Sequence, residues 1–215
     1  MVLVHGQNPE GDYFTINNNS PEPVFIKVSI ANVKIEKNIV NEVNYDKGNI
    51  SNWGVTANPS IFILDPNESR KILVNEVSPN SVFDTDQIYA ISFLPSSTNN
   101  ASTGNLNSMS LQIGFKVYFI LPAKVSRVQY DIKYDKNSGL LNVNNTGNTL
   151  ISLDIDNCSQ VNIESKKNTF CSTTLITMAG RSKSYNLPRE LRSSTLRASV
   201  TNYNKSYLKQ IIIGD

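Results

Sequence analysis

The sequence predicts an all-β protein built from two antiparallel β-sandwiches, and three observations lead to this prediction. Short runs of β-branched and aromatic residues recur along the chain, several with apolar residues at every second position. Clusters of Asn, Asp, Gly, Ser and Pro separate these runs at intervals of roughly 8–12 residues. No segment offers a long, capped helical period. This combination is typical of sandwiches of short strands.

The individual elements follow from local chemistry. The clearest strand runs are Tyr13–Ile16, Val24–Ile30 and Ile88–Phe93. Residues that tolerate left-handed conformations, or that fix the backbone for a turn, cluster at Asn17–Pro21, Asp65–Asn67 and Asn145–Asn148. We therefore expect strands that end at these three clusters.

The length of 215 residues suits two domains at about 100–150 residues each. A long apolar strand ends at Pro122, which cannot donate a ladder hydrogen bond, so we predict domains at 1–122 and 123–215. The first part has 7 Lys and Arg against 11 Asp and Glu, and the remainder has 13 against 7, which gives net charges of −4 and +6. This asymmetry could steer a partner, although an unevenly charged solvated surface explains it equally well.

The composition argues against most enzyme classes. With one histidine, His5, and two cysteines, the sequence has no zinc cluster and no Cys-x-x-Cys motif, and we expect no metal site. Glycine-rich phosphate loops and the Gly-x-Ser-x-Gly elbow are also missing, so no cofactor is expected. As a lone histidine, His5 is interpreted as an ordinary surface or core residue.

Nucleic-acid and membrane functions have little support in the sequence. No lysine-rich block with interleaved aromatic residues is present, so we expect no nucleic-acid partner. The longest apolar run, Val117–Leu121, is far shorter than the roughly 20 residues that a membrane-spanning helix needs, so we expect no membrane insertion. The first residues lack a basic start followed by a long apolar segment, which indicates no signal peptide as written and leaves a mature exported chain open.

A polar segment precedes the most regular strand of the chain. Pro95–Ser108 is almost free of apolar residues and has the composition of a mobile loop. From Met109 onward, apolar residues alternate and share one face of a strand, while Lys116 lies on the opposite face. By periodicity alone, this segment is an ordinary core strand of the first sandwich.

Four segments of the first half, in this order and spacing, resemble a known family: Phe14–Ser20, Pro59–Val74, Asp86–Pro95 and Leu111–Pro122. They are similar to the PapD-like periplasmic chaperones of chaperone–usher pilus assembly. The second half, with Leu141–Asn148 and Met178–Lys183, looks more like the divergent alternate or common-pilus branch of that family.

The resemblance implies two immunoglobulin-like sandwiches set at an angle and a periplasmic location, with the signal peptide removed or left out of this sequence. It implies a chaperone that caps an incomplete pilin by donor-strand complementation and delivers it to an outer-membrane usher. The expected partners are pilin subunits and the usher, no catalysis is expected, and self-association through the donor edge is a further expectation. The sequence also allows two alternatives: a two-domain adhesin or pilus structural subunit, and a carbohydrate-active sandwich using Asp84 and Asp86. The second is disfavoured, because these carboxylates are close neighbours on a strand approach and do not face each other across a cleft.

The resemblance also assigns site residues. Lys116 would hold the client's C-terminal carboxylate in the cleft between the domains, although a solvated lysine on a sheet face is equally expected from the pattern. Arg181 and Lys183 are weaker candidates for assisting Lys116. The residues expected to fill the client's groove are Met109, Leu111, Ile113, Phe115 and Val117.

Two departures from the family pattern affect these assignments. The usual basic residue of the first strand is not found, since Met1–Val4 corresponds to the end of that element, so the sequence either starts after this anchor or lacks it. Lys116 lies six residues before Pro122, one more than is usual, which suggests either a bulge or a shifted role.

Cys158 and Cys171 are 13 positions apart in the predicted second domain. In an oxidising compartment they would form a disulfide, worth about 3 kcal/mol by loop-closure entropy. In a cytosolic protein they would more often be two free core thiols. The resemblance to exported chaperones favours the disulfide.

Overall fold

The computed structural model describes residues 1–79, 81–97, 114–158 and 171–214 of the chain. Almost all regular structure in these ranges is β, as the sequence predicts, with two short 3-10 helices at Lys47–Asn52 and Arg189–Leu191. No helix in the described ranges is long and apolar enough to cross a membrane. The strands are β1 (Val2–Val4), β2 (Tyr13–Asn17), β3 (Val24–Glu36), β4 (Ile39–Asn44), β5 (Val55–Asn58), β6 (Ile61–Leu64), β7 (Ser69–Glu76), β8 (Gln87–Ser97), β9 (Phe115–Leu121), β10 (Tyr130–Asp135), β11 (Leu140–Asn145), β12 (Ile151–Asp156), β13 (Ser172–Thr177), β14 (Ser182–Asn186), β15 (Thr195–Asn202) and β16 (Leu208–Gly214).

The chain folds into two compact units. The first consists of Met1–Lys34, Asn41–Ser81 and Gln87–Leu121. The second consists of Pro122–Asp215 together with two short segments from the first half of the sequence, Ile35–Val40 and Val82–Asp86. The chain passes from the first unit to the second after Leu121. The two short segments have no counterpart in the sequence analysis, and the domain bounds 1–122 and 123–215 stay a prediction.

The first unit is a sandwich of a six-stranded and a three-stranded sheet. The larger sheet has the order β1-β9-β8-β3-β4, with β6 also paired to β3, and the smaller sheet has the order β2-β7-β5. Alternate residues of β8 and β9 point into the core, where Phe93 and Phe119 are fully buried. The ring of Phe14 on β2 meets Phe93 edge to face at 6.0 Å, which joins the two sheets.

The second unit pairs the sheet β10-β11-β14 with the sheet β13-β12-β15-β16. Its core takes alternate residues from both sheets, with Leu141, Val143, Ile151 and Val200 fully buried. Cys158 and Cys171 form a disulfide with their Cα atoms 4.8 Å apart, so the predicted pairing is confirmed.

The predicted strands and turns are confirmed in the described ranges. The runs Tyr13–Ile16, Val24–Ile30 and Ile88–Phe93 lie within β2, β3 and β8, the last two of which are longer than predicted. The clusters Asn17–Pro21 and Asn145–Asn148 begin at the last residues of β2 and β11, and Asp65–Asn67 lies between β6 and β7. Asn67 adopts the left-handed conformation (φ 60°) that its side chain tolerates. Only the first three residues of the predicted Pro95–Ser108 loop are described, and they belong to β8; the remainder lies outside the described residues.

Candidate functional site

The strand β9 lies near one edge of the larger sheet in the first unit. Its seven residues pair continuously with β8, from Phe115 opposite Phe93 to Leu121 opposite Gln87. On the other side β9 pairs in parallel with β1, but only at residues 118–120. Among the described residues, Phe115–Val117 therefore has no strand partner on the side away from β8.

The continuous register between β9 and β8 shows whether the extra residue before Pro122 forms a bulge. The extra residue between Lys116 and Pro122 is not accommodated as a bulge against β8, because each residue from Phe115 to Leu121 has its own partner. Lys116 consequently lies on the face opposite Val117, as the alternation predicts.

Of the five residues predicted for the donor strand, two lie in the described part of the chain, and these two differ in exposure. Met109, Leu111 and Ile113 lie outside the described residues. Phe115 is 44% exposed although it stacks on Phe93 at 4.9 Å, whereas Val117 is 4% exposed within the core. In the free protein Phe115 is thus accessible to a partner, and Val117 already packs against its own domain.

Lys116 forms an ion pair that the sequence analysis did not anticipate. Its Nζ lies 2.6 Å from Oε2 of Glu42 on β4, and the two side chains are 41% and 29% exposed. The hydrogen bond to the Glu42 carboxylate raises the pKa of the Lys116 ammonium, so the ammonium stays charged at neutral pH. The two residues are 74 positions apart and nothing in the sequence around Glu42 marks it, so local patterns could not reveal this pair.

The sheet face between these two strands carries small side chains. In the larger sheet, β8 and β3 lie between β9 and β4. Ser92 stands opposite Lys116 and also opposite Ser29, and Ala90 stands opposite Ala31 in the adjacent row. Because these side chains are short, the long side chain of Lys116 can lie across the sheet face and reach Glu42.

His5 fixes the chain at the end of β1. Its backbone N–H donates to the carbonyl of Ile120, and its Nδ1 lies 2.5 Å from Oδ2 of Asp12, whose side chain is only 5% exposed. Nε2 lies 4.0 Å from a carboxylate oxygen of Glu76. His5 thus links β1 and β9 to buried carboxylates, a more specific role than the surface or core position expected from the sequence. No group of His, Cys, Asp and Glu in the described ranges could hold a metal ion.

Asp86 and Asn148 connect three segments within the second unit. The Asp86 carboxylate accepts hydrogen bonds from the backbone N–H groups of Ala123 (2.9 Å) and Leu150 (2.7 Å). Burial raises the pKa of this carboxyl, although these hydrogen bonds act in the opposite direction. The Asn148 amide donates to the carbonyls of Asp84 and Val125. Of the two residues of the alternative glycosidase pair, Asp86 thus takes part in this network through its carboxylate and Asp84 through its backbone carbonyl.

In the second unit, Arg181 lies between the turn at Ala179–Gly180 and β14, and Lys183 is the second residue of β14. The Lys183 ammonium lies over the Tyr185 ring, 4.7 Å from its centroid. The Nε of Arg181 is buried and has no hydrogen-bond partner among the described residues. The expectation that these two side chains assist Lys116 stays a prediction.

Solved structures of pilus chaperones share this fold. The class 5 fimbriae chaperone CfaA matches with a TM-score of 0.51 and 13% identity, over 100% of this chain and 96% of its own. A chain of the CsuC–CsuE chaperone–tip adhesion subunit complex of Acinetobacter baumannii matches with a TM-score of 0.54 and 8% identity, over 99% and 94%. A chain of the Salmonella enterica SafA pilin–SafB chaperone complex matches with 0.52 and 12%, over 99% and 92%. The resemblance to pilus chaperones is thus confirmed at the level of the fold.

Sequence comparisons identify the family. A protein of Escherichia coli, described as an uncharacterized 25.9 kDa protein in the CS5 3′ region, is 29% identical over 172 residues, which cover 78% of this chain and 71% of that protein. Residues 1–122, more than half of the chain, match the family model described as the CS5 fimbrial protein N-terminal domain. The chain therefore belongs to the family of the CS5 fimbrial protein N-terminal domain.

Proposed function

We propose that this protein is a periplasmic chaperone for fimbrial subunits, which caps an incomplete immunoglobulin-like subunit by lending it a strand and passes it to an outer-membrane usher. The observation that carries the proposal is the edge of β9 at Phe115–Val117, which has no partner on one side among the described residues. An edge with free backbone N–H and C=O groups is the element to which an added strand binds.

The side chains of this edge support the same proposal. Phe115 is half exposed and follows the alternating apolar segment that contains Met109, Leu111 and Ile113. An incomplete subunit exposes an apolar groove, which apolar side chains at every second position would fill. Lys116 is the proposed anchor for the client's terminal carboxylate, because it carries a charged ammonium and lies two residues before Tyr118, where β1 begins to cover the edge.

The location and the partners are part of the proposal. The disulfide of Cys158 and Cys171 is consistent with an oxidising compartment such as the periplasm. The solved structures that share the fold include complexes of a chaperone with a pilin or a tip subunit, which favours the chaperone over the adhesin or structural subunit. The usher as the receiving partner, and the absence of catalysis, are inferred from the family resemblance.

The experiment that tests the proposal is co-expression with the fimbrial subunit encoded in the same gene cluster, followed by purification from the periplasm. We expect a stable one-to-one complex and rapid degradation or aggregation of the subunit when this protein is omitted. A subunit that is equally soluble and equally abundant without this protein would contradict the proposal.

A further inference from the structure

We infer that Glu42 occupies Lys116 in the free protein as an internal competitor, and that a fimbrial subunit must displace Glu42 before its C-terminal carboxylate can bind Lys116. This inference rests on the proposed function. It adds a residue that controls when the anchor is available and which chain ends it accepts.

The geometry of the pair makes an exchange feasible. Lys116 Nζ and Glu42 Oε2 are 2.6 Å apart, so the anchor is engaged by a carboxylate before any partner arrives. The lysine side chain is 41% exposed and the glutamate side chain 29%, which leaves both accessible to a second carboxylate. An ion pair with this exposure is weak, because water screens it, and a competing carboxylate can replace it.

The strand β1 places the end of an added strand close to Lys116. The N–H of Tyr118 already donates to the carbonyl of Met1, and β1 pairs with β9 from Tyr118 to Ile120. A second strand on this edge therefore cannot continue past Val117 unless β1 is removed. The terminus that stops there lies within one residue of Lys116.

Two carboxylates cannot share this lysine without cost. The ammonium has three N–H donors and could in principle contact both, but like charges at such a short separation repel each other. Glu42 therefore has to move away when the client's carboxylate arrives. A client end without a negative charge, such as a terminal amide, has no comparable attraction with which to displace Glu42.

The test uses the fimbrial subunit of the same gene cluster and a synthetic peptide matching its last strand, made with a free carboxylate and with a terminal amide. Binding of both peptides is measured for the wild type, for Glu42→Gln, for Lys116→Met and for the double variant. Glu36→Gln, which removes an exposed carboxylate from the neighbouring strand β3, is the matched control.

We expect Glu42→Gln to bind the carboxylate peptide roughly three- to tenfold more tightly than wild type, and Glu36→Gln to bind it as wild type does. The gain should shrink in the Lys116→Met background, and the preference for the carboxylate over the amide should be lost there.

Three results would overturn the inference while leaving the proposed function intact: unchanged binding in Glu42→Gln, weaker binding in Glu42→Gln, or an equal gain in Glu36→Gln. Weaker binding would mean that Glu42 positions Lys116 and does not compete for it. Failure of the wild type to bind the intact subunit or either peptide would overturn the proposed function and this inference together.

Discussion

Phe115 and Val117 point to the same face of β9, two residues apart, yet Phe115 is 44% exposed and Val117 is 4% exposed. The change occurs where the strand passes from the edge of the sandwich into its core. A substitution at Phe115 should therefore impair client binding more than stability, whereas a substitution at Val117 should impair stability.

We predict that Phe115→Asp reduces complex formation with the fimbrial subunit by more than about tenfold, because it places a carboxylate in the client's apolar groove. In the isolated protein it removes the stacking on Phe93 and should lower the free energy of unfolding by only about 1 kcal/mol. Val117→Asp buries an unpaired carboxylate and should cost several kcal/mol, which is enough to unfold the first domain. Thermal unfolding and co-purification measure both effects. Equal destabilisation by the two substitutions would mean that β9 is a core strand along its whole described length.

Lys116→Met should weaken capture of the subunit by roughly tenfold and leave the melting temperature nearly unchanged, because its ion pair with Glu42 is partly exposed and contributes little to stability. Lys27→Met, which removes an exposed lysine from β3 in the same sheet, is the control and should bind as wild type does. The amount of complex recovered from the periplasm after co-expression with the subunit distinguishes the two variants. Should both lose affinity equally, the effect would reflect net charge and not an anchor.

His5→Ala should destabilise the first domain by roughly 1–3 kcal/mol, because the buried Asp12 carboxylate loses its contact with the His5 ring, while the N–H of Gly6 still donates to it. Hydrogen exchange of the Tyr118 amide should accelerate, since that amide is held by β1. Combining His5→Ala with Asp12→Asn should recover part of the loss. Unchanged exchange at Tyr118 would show that β1 is held without His5.

The disulfide can be examined by mass measurement after alkylation of the native, non-reduced protein. We expect no alkylated cysteine. We also expect the double variant Cys158→Ser with Cys171→Ser to lower the free energy of unfolding by about 3 kcal/mol, because the unfolded chain gains conformational entropy when the cross-link is absent. Two alkylated thiols in natively folded periplasmic protein would contradict the pairing.

The raised pKa of Asp86 leads us to predict how its contribution to stability changes with pH. Because its pKa is raised in the folded protein, the native state holds the proton more tightly than the unfolded chain, whose Asp pKa is about 3.9. The contribution of Asp86 to stability is therefore fully present below that value and is lost as the pH rises through the native pKa. The stability of wild type relative to Asp86→Asn should fall as the pH rises through this window, as measured by denaturant unfolding at a series of pH values. A relative stability that rises with pH would mean that the backbone hydrogen bonds outweigh burial.

Local chemistry explains which features could be predicted. The residue types of Tyr13–Ile16 predict a strand and those of Asp65–Asn67 predict a turn, and the structure confirms both. The position of Lys116 follows from simple alternation along one strand. These features depend on residues within a few positions of one another.

The features that escaped prediction depend on distant residues. The parallel pairing of Val2–Val4 with β9 joins the two ends of the first domain's sequence. A strand of three residues is too short for its pattern to predict this pairing. Glu42 meets Lys116 only because β3 and β8 bring their strands together in one sheet.

The parallel direction of β1 has a practical consequence for anyone who produces this protein. Val2 stands opposite Tyr118, so a purification tag fused ahead of Met1 and continuing in the same direction would run beside Val117, Lys116 and Phe115. It would then cover the edge proposed for the client and mimic an occupied chaperone. Cleaving an amino-terminal tag should therefore raise the measured affinity for the subunit.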